Sequence, residues 1–368
     1  MDAPTDTRSG PIAALLSSPA GAIGALVLGV LIVACLGSLP WTLGTVSDGG
    51  APVPRYDAGE TREARISPFW WPPSEDERER LEALPGEPPT FLLGSDRLGR
   101  SVFVRALTGG GISLGIGIAA ATISVVIGTL YGSIAGFSGG RVDAVMMRIV
   151  DVLYGLPYVL LVVLIAVASE AVIDEYTART GERTAWIERE LEERPAADRD
   201  QIETAAFEAV PPRRLSLGVR AGLDVAALLV AIGGVSWLTM ARVVRGEVLS
   251  LRTRPFVETA RIAGAGPPWI FTRHLLPNLL APILVYGTLT VPQAILQESF
   301  LSFLGIGVKP PLPSWGNMAA DGLSELNTYR SHWWLLAVPS VLLAVTLLAL
   351  NFLGEGLREA VDPRRRSR

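Results

Sequence analysis

Six long apolar runs alternate with polar segments along this chain. The runs cover residues 21–39, 112–136, 141–168, 223–240, 279–305 and 333–353. An α-helix rises about 1.5 Å per residue, so segments of this length cross, or nearly cross, a hydrocarbon layer roughly 30 Å thick. The core of a soluble protein would show shorter, periodic apolar segments. The pattern therefore predicts an all-α, polytopic membrane protein with six transmembrane helices.

The polar segments predict the domain organisation. Residues 1–20 form an N-terminal arm before the first helix, and residues 40–108 form a loop that leads into the second helix. Helices two to six make up a core, residues 109–354, and residues 355–368 follow it as a tail. The core contains a polar insert, residues 170–221, with twelve acids and eight arginines.

The loop between the fourth and fifth runs, residues 242–278, is basic. It contains two acids, Glu247 and Glu258, and six arginines, at positions 242, 245, 252, 254, 261 and 273. Short loops rich in Lys and Arg stay on the cytoplasmic side of a membrane. We therefore predict that this loop and both termini face the cytoplasm, and that the insert lies outside.

The same loop contains signals for two short helices. Pro255 suits the first turn of one helix, because its missing N–H costs nothing there. Gly264 is predicted to end that helix, since glycine accepts the left-handed conformation of a C-cap. Pro267 then starts a second helix that runs to about Pro277. Such an elbow projects from the membrane but does not span it, and on spacing alone an ordinary helix–turn–helix connection is an equal alternative.

Composition excludes several classes of protein. The net charge of −4 is not the basic balance of a nucleic-acid-binding protein. A single cysteine, Cys35, excludes an internal disulfide and a multi-cysteine metal site. The one lysine, Lys309, is followed by Pro310, whereas a P-loop requires Gly-Lys followed by Ser or Thr. We therefore predict no ATP hydrolysis through such a motif, no catalytic residues, no metal and no cofactor in this chain.

Two charged pairs are spaced to meet on one helix face. Asp96 and Arg100 are four residues apart, and Arg148 and Asp151 are three apart. Pairs at these spacings on a helix surface contribute roughly 0.2–0.5 kcal/mol each. In the third run, Pro157 is predicted to kink the helix.

Several strings resemble ABC importer permeases, in particular the branch that carries dipeptides, oligopeptides and nickel. The string FLLGSDRLGRS starts at Phe91, ESFLSFLGIG at Glu298 and NFLGEGLREAVDPR at Asn351, in the order that this branch has them. In the basic loop, the spacing of Glu258 and Gly264 with a later Leu-Pro pair resembles the family's loop signature. The resemblance implies that this loop is a coupling helix that docks on a separate ATPase, and it marks six loop residues: Glu258, Ala260, Arg261, Gly264, Leu276 and Pro277.

The resemblance implies a function and a set of partners. The chain would be the membrane-spanning permease subunit of an ATP-driven importer in the cell membrane. Its cargo would be di- and oligopeptides delivered by an extracytoplasmic binding protein. Two ATP-binding subunits, a second, non-identical permease and the lipid bilayer would be its other partners, and nucleic acid would not be one.

Alternatives stay open at this point. Nickel or another small solute is the second candidate substrate within the same family. A stand-alone secondary transporter would need ionisable residues in several spans and no docking elbow. A membrane sensor would need an output domain larger than the tail of residues 355–368. The insert is interpreted as a solvated helical decoration, with helical spacing at Trp186, Ile187 and Leu191, or alternatively as a docking site for the binding protein.

The fifth run contains three polar residues, Gln293, Gln297 and Glu298. A carboxylate at the bilayer centre costs on the order of 3 kcal/mol, so it usually faces a bundle interior or an aqueous path. We interpret the three residues as candidates for a translocation path. For Glu298, bracing of a helix contact and a position near the outer membrane surface are the alternatives.

Overall fold

A computed structural model of the chain describes residues 18–48, 51–83, 89–195, 198–213, 215–326 and 331–361. Two short strands, β1 (Thr45–Asp48) and β2 (Ala51–Pro54), pair antiparallel, with Thr45 opposite Pro54. The helices are α1 (Pro19–Thr42), α2 (Glu75–Glu82), α3 (Val102–Ser138), α4 (Gly140–Tyr154), α5 (Tyr158–Ala178), α6 (Thr180–Glu193), α7 (Arg199–Ala209), α8 (Leu217–Leu251), α9 (Pro255–Ile262), α10 (Pro267–Ile270), α11 (Leu276–Phe303), α12 (Trp315–Ser324) and α13 (Trp334–Val361). A 3-10 turn covers Thr61–Glu63, and a π-helical turn, Phe271–Leu275, joins α10 to α11.

Long apolar helices dominate this architecture. Within the described ranges, α1, α3, α8, α11 and α13 are each long and apolar enough to cross a membrane, and the bent pair α4–α5 makes a sixth candidate span. The prediction of an all-α, polytopic membrane protein is confirmed. Most of the predicted N-terminal arm, residues 1–17, and the last seven residues of the predicted tail lie outside the described residues.

The third span is broken rather than gently kinked. Helices α4 and α5 meet at 88° around Gly155, Leu156 and Pro157. Proline has no N–H for the helical ladder and disfavours helical geometry at the residue before it. Glycine two residues earlier removes further helix propensity. Pro157 therefore acts where the sequence predicted, but it ends one helix and starts another.

Small residues allow the two central helices, α3 and α8, to approach closely. A Cβ added at Gly128 would lie 2.5 Å from Met240 Cβ, and one added at Gly132 would lie 2.3 Å from the Ala241 carbonyl oxygen. Gly136, one turn further on, meets Val248 in the same way. In lipid, helices associate through such close packing because no hydrophobic force drives them together. The α3–α8 pair forms the centre of the bundle, with α1, α11 and α13 around it.

A cap, residues 51–83 and 89–101, covers the α12 end of the bundle. Arg65 donates to both carboxylate oxygens of Glu325 (2.6 and 2.8 Å), and Trp71 packs against Trp333 at a ring distance of 5.1 Å. Asp96 and Arg100 lie here and do pair (2.7 Å). The expectation of a helix-surface pair is wrong, because both residues belong to a tight turn before α3.

That turn explains why the pair is buried. Asp96 Oδ1 accepts hydrogen bonds from the backbone N–H groups of Leu98 (2.8 Å) and Arg100 (3.0 Å). Gly99 has a φ of +79°, which a side chain would strain. Arg100 Nη1 also donates to Asp57 (2.7 Å), so the turn is tied to the start of the cap.

The polar insert forms a helical hairpin beyond the ends of α5 and α8. Helices α6 and α7 pack on each other, with Ile202 and Ala206 buried between them. The predicted helical segment around Ile187 lies within α6. At the base of the hairpin, Arg220 donates to Asp174 (2.6 Å), which joins α8 to α5.

Candidate functional site

The loop after α8 folds into an elbow, residues 255–275. Pro255 occupies the first position of α9, and Gly264 follows that helix with a φ of +83°. The Ala265 N–H donates to the Ala260 carbonyl oxygen (3.0 Å), a bond typical of a glycine-terminated helix. Pro267 then starts α10. The first helix and the start of the second lie where the local signals predicted them. The predicted end near Pro277 is wrong, because α10 covers only Pro267–Ile270 and continues through the π-helical turn into α11.

The inner face of the elbow is fixed to α8. Val257, Ile270 and Leu275 are buried in one cluster with Met240 and Val244 of α8. Burying side chains of this size contributes roughly 1.5–3 kcal/mol each. Movement of the elbow is therefore expected to carry the end of α8 with it.

Most of the residues that the family resemblance marks are exposed on the elbow or at the start of α11, directly after it. Glu258, Arg261, Gly264 and Pro277 are exposed, Leu276 is half-buried, and Ala260 is buried against α8. The structure thus places five of these six residues at or near the surface and one in the inner contact.

Two apolar side chains on the outer face of the elbow escaped the sequence analysis. Ile262 is 83% exposed and Trp269 is 51% exposed. Exposed large apolar side chains in a polar loop are typical of protein–protein contacts. Trp269 also contacts the His274 ring at 5.0 Å, and Phe256 contacts that ring from α9 at 5.9 Å. The signal that could have found Ile262 and Trp269 is that they are large apolar residues next to glycines and prolines, in a loop outside the apolar runs.

A clasp of four charged residues, Asp143, Asp151, Arg242 and Arg245, holds α4 to α8. Arg245 donates two hydrogen bonds to Asp143 (2.5 and 2.7 Å), and Arg242 donates one to Asp151 (2.8 Å). The predicted pair of Arg148 with Asp151 is wrong, because Asp151 turns to the neighbouring helix. Two-pronged arginine–carboxylate pairs are both strong and directional. The clasp therefore fixes the angle between α4 and α8.

A cavity with a volume of about 320 Å³, here named the polar cavity, opens beside α5, α8 and α11. All of its ten lining residues are uncharged: Leu153, Tyr154, Leu156, Tyr158, Val235, Ser236, Leu238, Thr239, Gln293 and Gln297. The structure thus brings the predicted path residues Gln293 and Gln297 together in one wall. Tyr158, Ser236 and Thr239 were not predicted, because their partners are distant in sequence.

One hydroxyl joins the three helices around this cavity. Tyr158 of α5 donates to Gln297 Oε1 of α11 (2.7 Å) and lies 2.8 Å from Ser236 Oγ of α8. Ser236 Oγ in turn donates to the carbonyl oxygen of Ile232 (2.8 Å). The hydrogen bonds that join Tyr158 to α8 and α11 are therefore all between neutral groups.

Glu298 lies apart from this cavity. Its side chain is fully buried, and Ser302 Oγ donates to its carboxylate at 2.7 Å and Ser299 Oγ at 3.3 Å. The hydroxyls of Ser113 and Ser314 also hydrogen-bond to it. These five residues, here named the serine knot, connect α3, α11 and the start of α12. This geometry favours the bracing alternative for Glu298 over a lining role.

In the part of the chain that the structure describes, no group of three or more His, Cys, Asp or Glu residues is arranged to hold a metal ion.

Comparisons with known proteins give one consistent result. Residues 128–367 match the sequence model of the family described as the binding-protein-dependent transport system inner membrane component. The chain is 37% identical over 303 residues to the dipeptide transport system permease protein DppC of Bacillus subtilis (strain 168), which covers 82% of this chain and 78% of that protein. It is 38% identical over 273 residues to the oligopeptide transport system permease protein OppC of Escherichia coli (strain K12), covering 74% and 72%. It is 31% identical over 345 residues to the di/tripeptide transport system permease protein DppC of Pseudomonas aeruginosa (strain UCBPP-PA14), covering 94% and 88%.

Proposed function

Because the chain belongs to the family of binding-protein-dependent transport system inner membrane components, we propose that it is the permease subunit of an ABC importer that carries peptides across the cell membrane. The observation that carries this proposal is the identity of 31–38%, over most of the chain, to permeases named for dipeptides, di/tripeptides and oligopeptides. The uncharged lining of the cavity supports the same substrate class. Both observations favour peptides over the nickel alternative.

The family implies ATPase and binding-protein partners, and we propose a specific assembly. Two ATP-binding subunits dock on the elbows of two permeases, this chain and a second, similar one, and an extracytoplasmic binding protein delivers the peptide. The exposed Ile262 and Trp269 support docking at the elbow, since buried aromatic and aliphatic anchors dominate most protein interfaces.

In this proposal both termini and the elbow face the cytoplasm, while the cap and the insert hairpin face outward. The arginine-rich loop of residues 242–278 supports this orientation. Residues 21–39 and 109–354 contain the spans, with the 170–221 insert as a solvated decoration outside.

The proposed mechanism runs from the elbow to the cavity. ATP binding draws the ATPase subunits together and moves the docked elbows. The buried contacts of Val257 and Ile270 carry this movement to α8, and the clasp carries it to α4. Helix α4 leads directly into Pro157 and α5, so the wall that contains Tyr158 moves too. The ATP-bound state supplies the free-energy difference between the two positions.

The site residues have separate roles in this proposal. Glu258, Arg261, Gly264, Leu276 and Pro277 form or shape the docking face. Ala260 belongs to the inner contact of α9 with α8, where it is buried.

Three polar residues of α11 also have separate roles in this proposal. Gln293 and Gln297 line the translocation path, and Glu298 braces the helices beside it.

The test is co-purification through a tag on this chain in mild detergent. Wild type is compared with the double variant Glu258→Ala/Gly264→Glu, and with the matched control Glu188→Ala/Gly181→Glu in the insert hairpin. We expect wild type and control to retain ATP-binding subunits and a second permease, and the elbow variant to lose the ATPase subunits while keeping the permease. A wild-type chain that purifies alone and moves solute in vesicles without ATP would contradict the proposal and indicate a secondary transporter.

A further inference from the structure

We propose that the polar cavity is a subsite for the main chain of the peptide, and that the Tyr158 hydroxyl is a latch between three helices that the bound peptide opens. The inference rests on the proposed function and deepens it, because it names what the cavity recognises and how recognition is linked to helix movement.

The chemistry of the wall matches a peptide backbone. Each peptide unit offers one N–H donor and one C=O acceptor, whatever its side chain. Gln293 and Gln297 each provide an acceptor oxygen and two N–H donors, and the hydroxyls of Tyr158, Ser236 and Thr239 both donate and accept. Such a wall can pair with the main chain of any peptide. With uncharged lining throughout, it provides no carboxylate for a cation and no fixed charge to select one side-chain type.

The size of the cavity fits part of a peptide. Its volume of about 320 Å³ lies at the lower end of the range for small-ligand pockets, which is about 300–1,000 Å³. The cavity therefore holds a short stretch of main chain while the side chains extend through its open mouth.

The position of the polar groups indicates a wet surface. Gln293 and Thr239 are exposed within the apolar spans of α11 and α8. On the same helix as Gln293, Leu296 is 53% exposed, as expected for a residue that faces lipid. Polar groups facing hydrocarbon without partners cost roughly 2–7 kcal/mol each. The side of α8 and α11 that carries Gln293 and Thr239 is therefore assigned to an aqueous path.

The latch follows from the proton inventory at Tyr158. The phenol has one proton, which it donates to Gln297, so it accepts at the Ser236 contact, and the Ser236 proton is shared between Tyr158 and the Ile232 carbonyl. A peptide carbonyl oxygen can accept the hydrogen bond from the Tyr158 hydroxyl while a peptide N–H donates to Gln297 Oε1. One set of neutral hydrogen bonds replaces another, so the exchange is nearly balanced in free energy and the peptide is released easily.

The latch is connected to the clasp through a shared residue. Tyr154 lines the cavity, and the guanidinium of Arg242 lies over its ring at 4.0 Å. Arg242 is the residue that holds Asp151 of α4. A peptide that separates α5 from α11 therefore acts on the same contact that carries elbow movement, and it favours the state in which the latch is open.

The experiment uses the whole complex, purified through this chain and reconstituted in proteoliposomes with its binding protein. The probes are labelled trialanine and a trialanine methylated on the backbone nitrogen of its middle residue. The methylated peptide lacks one N–H donor. The variants are Tyr158→Phe and Gln297→Leu. The matched control is Tyr286→Phe, which removes a phenolic hydroxyl from an exposed position of α11 outside the cavity.

We expect Tyr158→Phe to raise ATPase activity without peptide at least twofold, because the latch is released. Gln297→Leu should lower trialanine uptake at least fivefold and reduce the preference for trialanine over its methylated form at least threefold. The binding protein is the same throughout, so its own preference cancels in this ratio. Tyr286→Phe should change none of these quantities.

The inference would be overturned if both variants took up trialanine at the wild-type rate and kept the wild-type preference for it over the methylated form. It would also be overturned if uptake of both peptides fell equally and the preference stayed unchanged. If Gln297→Leu fails to assemble, Gln293→Leu replaces it, since Gln293 is exposed and takes no part in the latch. A wild-type complex that takes up no peptide with ATP contradicts the proposed function instead, so the two failures are distinct.

Discussion

The serine knot around Glu298 and the clasp around Asp143 hold carboxylates within the bundle in opposite ways. Glu298 is fully buried and its oxygens meet neutral hydroxyls from three elements. Asp143 meets a guanidinium with matching geometry, and its neighbour Asp151 is largely exposed. A buried group with several fixed donors has no alternative partner, whereas an exposed ion pair exchanges with water at little cost.

The difference assigns the two regions different mechanical roles. The knot joins α3, α11 and α12 as a fixed joint. The clasp joins α4 to α8 next to the elbow that the ATPase is proposed to move, so we expect α4 to move together with α8. The polar cavity is lined by residues of α11, which the knot holds, and of α4 and α8, which the clasp holds together and which are proposed to move with the elbow.

The largest expected effect comes from emptying the knot. Glu298→Ala leaves four serine hydroxyls without their acceptor and creates a cavity, so we expect a loss of about 3–5 kcal/mol in the free energy of unfolding. Glu298→Gln keeps an acceptor oxygen and should cost about 1 kcal/mol. Equilibrium unfolding in mixed detergent micelles measures both. If both Glu298 variants lowered the free energy of unfolding by the same small amount, the knot would not be the fixed joint described here.

The clasp should affect coupling more than stability. Asp143→Asn weakens a pair that is partly exposed, and after allowing for solvent screening we expect a loss of about 1–2 kcal/mol in stability. Peptide-stimulated ATPase activity should fall at least tenfold while ATPase activity without peptide persists. The exchanged pair Asp143→Arg/Arg245→Asp should restore part of the stimulation. Full stimulation in Asp143→Asn would show that the clasp carries no movement.

The outer face of the elbow should affect assembly alone. Trp269→Ser removes an exposed aromatic side chain, so folding should be unchanged, while affinity for the ATPase subunit should fall by about 1–3 kcal/mol if the side chain is an anchor. Titrated pull-down of that subunit measures the change. Thr272→Ala, a substitution at an exposed position of the same elbow, is the control, and equal affinity in both variants would count against Trp269 as an anchor.

The smallest expected effect is a pH dependence of the cap, near the knot end of the bundle. Burial lowers the pKa of His332 below its ordinary value of 6.5, so the folded protein binds fewer protons than the unfolded chain and loses stability as the pH falls through 6.5. The hydrogen bond from Arg65 lowers the pKa of Glu325 below 4.5, so its contribution is present above pH 4.5 and is lost at lower pH.

A thermal unfolding midpoint measured from pH 7.5 down to about pH 3 should therefore decline in two steps. The variant His332→Gln should lack the upper step and keep the lower one. If the upper step persists in this variant, it arises from a titratable group other than His332.

The sequence predicted those parts of the molecule that depend on neighbours along the chain. The spans follow from uninterrupted apolar runs, and the elbow follows from Pro255 and Gly264, whose effects on the backbone are local. The break at Pro157 was located correctly, but its angle depends on what α4 and α5 pack against.

The contacts that define the site depend on residues far apart in sequence. Asp151 finds Arg242 ninety-one positions away, and Tyr158 finds Gln297 one hundred and thirty-nine positions away. The carboxylate of Glu298 was recognised as significant, but nothing local showed that Ser113 of α3 and Ser314 before α12 would meet it. Helical spacing therefore predicted the wrong partner, Arg148, for Asp151. The position of Glu298 in an apolar run was the only reason for grouping it with the path residues.

The central claim, that this chain passes ATP-driven movement from its elbow to a peptide path, has one direct test. Uptake of labelled trialanine is measured in proteoliposomes that contain the complex purified through this chain, with binding protein, with and without ATP. The account predicts uptake that requires ATP and disappears in Glu258→Ala/Gly264→Glu. Uptake that continues without ATP, or that is unchanged in the elbow variant, would contradict it.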